Sequence, residues 1–215
     1  FTPSATQTIR KTTTAKKALS AITIDGKLDE SVWNLNESVS KVLSGNPDNT
    51  VTFGTLWDDK YLYIAYKVLD DKLVNDSNDV WWDDSVEVYI DPNNSKSTTY
   101  DAYDRQFVKG WNDTSFSALQ NGTGVLHGVS NISGGYTVEI AVPWTNLNII
   151  PVAGKTLGFD VQANDDDTGG ELQESVGWKD WRKKIAKVAD STAGRVMTLL
   201  TLAAVAWGHF ATGML

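Results

Sequence analysis

The feature that most constrains the fold is a period-two alternation of apolar and polar residues, recurring in short runs along the chain. In 84–91, Asp84, Val86, Val88 and Ile90 fall on one side, and Ser85, Glu87, Tyr89 and Asp91 on the other. The same rhythm places Val51, Phe53, Thr55 and Trp57 on one face, then Leu62, Ile64, Tyr66 and Val68. It returns with Tyr136, Val138, Ile140 and Val142, and again with Leu157, Phe159, Val161 and Ala163. Turn signals at Asp25-Gly26, 44–49, Asp58-Asp59-Lys60, Asn121-Gly122 and Gly134-Gly135 separate the runs. At least eight short strands at this spacing predict an all-β chain folded as one antiparallel β-sandwich.

The remaining elements follow the same logic. Residues 18–24 read as a first strand, and Asp29 as the cap of a short helical turn that carries Val32 and Trp33 into the core. Asn121-Gly122 reads as a hairpin turn between strands at 115–119 and 125–132, and 144–147 as a single helical turn. The stretch 101–113 mixes aromatics with Asp104, Arg105, Gln106 and Lys109, the pattern of a partly exposed face. Residues 1–17, rich in threonine, lysine and alanine, read as a linker or N-terminal extension, 18–200 as the sandwich, and 201–215 as an apolar tail. From 196 to 215 no residue is charged at neutral pH, which approaches the length of a membrane span. Threonines, glycines and His209 dilute that run, so a membrane anchor is not the expectation. The start at Phe1 suggests a mature or excised part of a larger protein.

Charge and composition narrow the partners. A net charge of −8 disfavours nucleic acid and anionic membranes, both of which demand a basic footprint. The absence of cysteine removes disulfides, thiolate metal sites and cysteine nucleophiles, and is compatible with an extracellular bacterial protein. Nine tryptophans are a surplus. Two of them, Trp81 and Trp82, stand at the entrance of the strand whose polar face carries Glu87 and Tyr89. Indole beside a carboxylate and a phenol suits a polyhydroxylated ligand, whose C–H faces stack on rings while its hydroxyls need directional partners. The same tryptophans also suit a core.

Three ordered motifs carry a resemblance: Ile24-Asp25-Gly26-Lys27-Leu28-Asp29-Glu30 with Trp33, then Leu56-Trp57-Asp58-Asp59-Lys60-Tyr61-Leu62-Tyr63-Ile64, then 81–91. Together they resemble the family 9 carbohydrate-binding modules, over about residues 13–199. The resemblance implies a jelly-roll-like, DOMON-related sandwich that binds sugar without catalysis. The implied ligand is a mono- or oligosaccharide, at glycan ends of plant cell-wall polysaccharides such as cellulose or xylan. It also implies a module attached to other domains of a larger secreted enzyme or cell-surface protein. By position Trp81 matches the first ring of an aromatic clamp, and Glu87 and Gln106 match hydroxyl-binding side chains. The second clamp tryptophan, expected near Lys187, is missing. Trp178 aligns with a buried family tryptophan, which leaves Trp181 as the substitute. Met197-Thr198-Leu199 matches the family's closing strand.

The resemblance further implies structural calcium. Asp58-Asp59, Asp70-Asp71, Asp83-Asp84 and Asp165-Asp166-Asp167 are oxygen-only clusters in loops, the ligand type calcium prefers, without the EF-hand spacing. Asp84 is the candidate ligand, because a carboxylate on the core-facing side of its strand must be paired or coordinated.

Other chemistries find less support. Glycosidases hold two carboxyls about 5–9.5 Å apart, whereas Glu87 and Asp91 are separated by four residues of strand, roughly 13 Å. A cross-strand partner such as Asp104 stays open. Haem would have to draw on His127, His209, Met197 and Met214. Phosphate loops, zinc spacings and nucleophile motifs are absent. The alternatives to sugar binding are therefore a structural or adhesion module that kept the fold, and a haem-binding DOMON-like domain.

Overall fold

The computed structural model describes residues 11–97, 99–114, 116–170 and 174–178. In order, the elements are β1 (Lys16–Lys17), β2 (Glu37–Val39), β3 (Lys41–Ser44), β4 (Thr50–Trp57), β5 (Tyr61–Leu69) and β6 (Ser85–Asp91). Then come β7 (Arg105–Gly110), β8 (Ser117–Leu119), β9 (Leu126–Ile132), β10 (Gly135–Pro143), α1 (Trp144–Leu147), β11 (Gly158–Asp165) and β12 (Glu174–Gly177). They form two sheets. One runs β1-β4-β5-β10-β9 with β2 also paired to β4, and the other runs β3-β12-β11-β6-β7-β8. Every pairing is antiparallel except that of β1 with β4.

The alternation decides which faces meet. Phe53, Ile64, Tyr66, Val68, Tyr136, Val138 and Ile140 of the first sheet close on Val86, Val88, Ile90, Phe107, Val161 and Ala163 of the second. Burying each of the larger side chains contributes about 1.5–3 kcal/mol. Across this core the Tyr66 hydroxyl donates to the backbone carbonyl of Glu87 at 2.9 Å, tying the first sheet to β6.

The segment 18–36 departs from the expected strand and helical turn. It crosses the outer face of the first sheet, where Ala18, Ile22, Ile24, Val32 and Trp33 pack against Leu56, Tyr63 and Ala141. Its backbone is held by one carboxylate instead of a ladder. Glu139, fully buried on the outer face of β10, accepts from the backbone N–H of Asp25 (3.1 Å) and Gly26 (3.0 Å) and from Trp33 Nε1 (3.0 Å). Burial pushes the Glu139 carboxyl up to about 7, against the opposing pull of those donors. Gly26 has φ of +86°, and a Cβ there would sit 2.4 Å from the Val129 carbonyl carbon, so only glycine fits. Around Asp29 the chain makes a turn, closed by Trp33 N–H donating to the Glu30 carbonyl at 3.1 Å, not a helix.

The expected hairpin at Asn121-Gly122 is a crossing between sheets. β8 pairs with β7 in the second sheet, while β9 pairs with β10 in the first. Asn146 of α1 steadies the crossing by donating from Nδ2 to the carbonyls of Asn121 (2.9 Å) and Thr123 (3.1 Å). The expected closing strand at 197–199 and the apolar tail lie outside the described residues. No helix among the described residues is long and apolar enough to cross a membrane.

Candidate functional site: a hydrogen-bonded carboxylate and two acidic clusters

The outward face of the second sheet is polar because its strands alternate. Pairing places Glu87 of β6 opposite Gln162 of β11, Ser85 opposite Asn164, and Tyr89 opposite Gln106 of β7. At the centre lies Glu87, only 3% exposed. Its Oε2 accepts from the Tyr89 hydroxyl (2.7 Å) and Gln106 Nε2 (2.7 Å), and its Oε1 from Asn164 Nδ2 (2.8 Å). A second tier orients these donors. Gln162 Nε2 donates to Asn164 Oδ1 (2.7 Å), Asn164 Nδ2 also reaches Ser85 Oγ (2.9 Å), and the Tyr100 hydroxyl donates to Gln106 Oε1 (3.3 Å). Burial and the Glu87 charge raise the Tyr89 phenol well above its ordinary pKa, which keeps it a donor.

Neither of the ion pairs among the described residues, Lys17–Asp59 and Lys27–Asp25, involves Glu87. The carboxylate is held by neutral donors, which fix its orientation without capping it with a cation. Trp81 is half-buried in the turn just before β6, where the Trp82 N–H donates to the Asp79 carbonyl at 2.9 Å. Of the residues expected to bind, Glu87 and Gln106 are therefore in direct contact, Trp81 stands ahead of their strand, and Trp181 lies outside the described residues. Asp104 is no catalytic partner of this network. It is buried and accepts from the Asp101 N–H at 2.8 Å within its own turn.

Asn164, Gln162, Tyr100 and Ser85 were not among the expected site residues. Gln162 stood on the polar side of the 157–163 alternation, but only the pairing of β11 with β6 brings it and Asn164 to Glu87. An apolar cavity of 410 Å³, lined by Trp57, Leu62, Trp144, Ile149, Phe159 and Trp178, lies apart from these groups. Trp178 is buried there, as the resemblance implied. His127 stacks on Phe116 with ring centres 4.5 Å apart, and burial lowers its pKa. The other three side chains considered for haem lie outside the described residues.

Three of the four acidic clusters converge beside the turn that carries Trp81. Asp48, Asp70 and Asp165 offer oxygens within 4.8 Å of one another, as do Asp76, Asp83 and Asp166. Asp84 stands beside the first group. Its Oδ2 accepts from the Val74 N–H at 2.7 Å, and burial followed by the charge of Asp70 pushes its carboxyl up to about 9. Burial and Asp70 likewise push Asp165 up to about 6. Asp70 Oδ2, Asp84 Oδ1, Asp165 Oδ1, Asn49 Oδ1 and Asp166 Oδ2 are all buried with no hydrogen-bond donor. Buried carboxylate oxygens without donors, facing further oxygens, are the donor set of a hard cation such as calcium.

The second group also joins two loops. Asp83 Oδ1 accepts from the N–H of Asp76 (3.2 Å) and Ser77 (2.9 Å), and Asp76 Oδ1 accepts from the Gly170 N–H (3.1 Å). The fourth cluster is an ordinary turn. Asp58 accepts from the N–H groups of Lys60 and Tyr61 and from the Tyr63 hydroxyl, each at 2.7 Å.

Comparison with known proteins gives the family and the fold. A family model described as carbohydrate family 9 binding domain-like matches residues 24–195. The endo-1,4-beta-xylanase A of Thermoanaerobacterium saccharolyticum is 39% identical over 160 residues, which is 73% of this chain and 14% of that protein. The exoglucanase XynX of Acetivibrio thermocellus is 37% identical over the same shares. The chain thus spans about one seventh of the length of these relatives. Among solved structures, a family 9 carbohydrate-binding module from Caldicellulosiruptor kristjanssonii in complex with cellotriose superposes with a TM-score of 0.68 at 23% identity. That match covers 78% of this chain and 84% of the other. The complex of such a module with glucose gives a TM-score of 0.67, covering 77% and 87%.

Proposed function

The chain belongs to the family 9 carbohydrate-binding modules, and from that premise we propose that it binds a glucose-type glycan without acting on it chemically. In this reading Trp81 supplies a stacking ring, Trp181 the opposing one, and Glu87 with Gln106 reads the hydroxyls. The observation that supports it most is Glu87 itself. A buried carboxylate aligned by Tyr89, Gln106 and Asn164, with no cation among its partners, is an acceptor prepared for a hydroxyl donor. The ligands of the structural neighbours, cellotriose and glucose, indicate the class to test. The xylanase and exoglucanase relatives suggest a module of a larger secreted enzyme acting on xylan or cellulose.

The same reading includes calcium in a structural role. Asp48, Asp70, Asp84 and Asp165 would hold one ion, and Asp76, Asp83 and Asp166 a second. Buried carboxylate oxygens without donors support both assignments.

Titration with glucose, cellobiose, cellotriose and xylobiose, followed by tryptophan fluorescence and calorimetry, tests the function. Saturable binding of at least one of them, weakened in Trp81→Ala, is the expected result. No binding of any would return the domain to a structural or adhesion role.

A further inference from the structure

Glu87 has two oxygens, each able to accept about two hydrogen bonds. The protein occupies them unequally. Oε2 takes both the Tyr89 hydroxyl and Gln106 Nε2, while Oε1 takes only Asn164 Nδ2. Oε2 is therefore filled, and one acceptor position remains on Oε1, on the β11 side of the carboxylate.

Which oxygen is left open depends on Asn164. Its amide can face Glu87 with either its NH₂ or its carbonyl, and an inward carbonyl would be repelled by the carboxylate. Gln162 settles the choice by donating to Asn164 Oδ1 at 2.7 Å, which directs Nδ2 toward Glu87 Oε1 and Ser85 Oγ. The pair is built in. Asn164 is fully buried and Gln162 is 6% exposed, so water does not supply these bonds instead.

We infer that Asn164, oriented by Gln162, is a positioning residue that makes Glu87 Oε1 the oxygen read by a sugar hydroxyl, and so sets which hydroxyl the module requires. The inference rests on the sugar-binding reading above. A site that reserves one acceptor for one hydroxyl discriminates strongly against a ligand lacking it, because the acceptor is then left unpaired. Without Asn164 the carboxylate is anchored through Oε2 alone. It can then turn, and the preference for one hydroxyl relaxes.

The test compares glucose with its monodeoxy derivatives by calorimetry, on the native protein, Glu87→Gln, Asn164→Ala and Gln162→Met. In the native protein one monodeoxy sugar binds about 10-fold or more weakly than glucose, and Glu87→Gln identifies it by losing that difference. In Asn164→Ala the same penalty falls to about 3-fold or less, and in Gln162→Met it falls part of the way. If Asn164→Ala does not melt cooperatively, Gln162→Met decides by the same criterion. A uniform loss for every sugar, or an unchanged penalty, would overturn the positioning role while leaving sugar binding intact. A native protein that binds none of these sugars would overturn the binding reading, and this inference with it.

Discussion

With calcium held by the two acidic clusters as proposed, its removal should destabilise the fold. In the cluster of Asp48, Asp70 and Asp165 the facing oxygens lie within 4.8 Å. At an effective dielectric constant of about 20, two unit charges at that distance repel by about 3.5 kcal/mol, and three such pairs by about 10 kcal/mol. This is comparable to the whole stability of a domain, about 5–15 kcal/mol. A counter-charge at this cluster therefore relieves a large repulsion. In chelated protein at pH 7.5 a proton sits on the adjoining Asp84, pushed up to about 9, while Asp165, pushed up to about 6, remains largely ionised and keeps the repulsion. Each calcium ion at a hundred times its dissociation constant stabilises the native state by about 2.7 kcal/mol, and the two together by about 5.4 kcal/mol. For a chain of this length each kcal/mol moves the melting temperature by about 2–4 °C. Scanning calorimetry at pH 7.5 should then show chelator lowering Tm by about 10–20 °C, with full recovery on adding calcium. Asp70→Asn/Asp165→Asn should lose about half of that chelator response, since the ion held by Asp76, Asp83 and Asp166 remains, and in chelator it should melt above the native protein, because two repelling charges are gone. A native Tm that chelator does not move would refute the reasoning.

Two further predictions follow from particular contacts. Glu139→Gln places an NH₂ group where three N–H donors converge, so at least one charge-assisted bond is lost, at about 1.5–3 kcal/mol, and chemical denaturation should register it. Because the folded Glu139 carboxyl titrates near 7, above its ordinary 4.5, native protein holds more protons than unfolded protein between those values. Its contribution to stability should therefore decline as pH rises through that window, a slope Glu139→Gln should lack. Asp83→Asn loosens the group that joins the Trp81 turn to Gly170 through Asp76, so glucose affinity should fall together with the calcium response. Unchanged affinity alongside a lost calcium response would uncouple the turn from the ion.

Much of the sandwich was legible in the sequence because β4, β5, β6, β10 and β11 each bury one apolar face against the other sheet. The alternate positions are polar in β6 and β11, while in β4, β5 and β10 they include Leu56, Tyr63 and Ala141 beneath the 18–36 segment. β7 was not, since Arg105 and Lys109 carry the signature of an exposed strand. Both are in fact buried. Arg105 is satisfied by the carbonyls of Ala102, Tyr103 and Asp104 and by Asn146, and Lys109 donates to the Asp113 carbonyl. Glu139 misled in the same way, as a polar residue on an outward face that the 18–36 segment then covers. Within the hydrogen-bonded network, Glu87 and Gln106 were named by the family motif. Asn164 and Gln162 were not, because the pairing of β11 with β6 is a long-range fact with no local signal. The convergence of Asp48 and Asp165 with Asp70 was hidden for the same reason.

In the proposed function Trp81 and Glu87 form one sugar-binding surface. Calorimetric titration of glucose and cellobiose into the native protein, Trp81→Ala and Glu87→Gln, each first shown to melt cooperatively, tests it most directly. The native chain should bind saturably. Trp81→Ala should weaken it about tenfold or more, since a stacked ring contributes roughly 1 kcal/mol beyond the apolar area it covers, and Glu87→Gln at least as much. Equal affinity in all three proteins would contradict it, as would a native chain that takes up neither sugar.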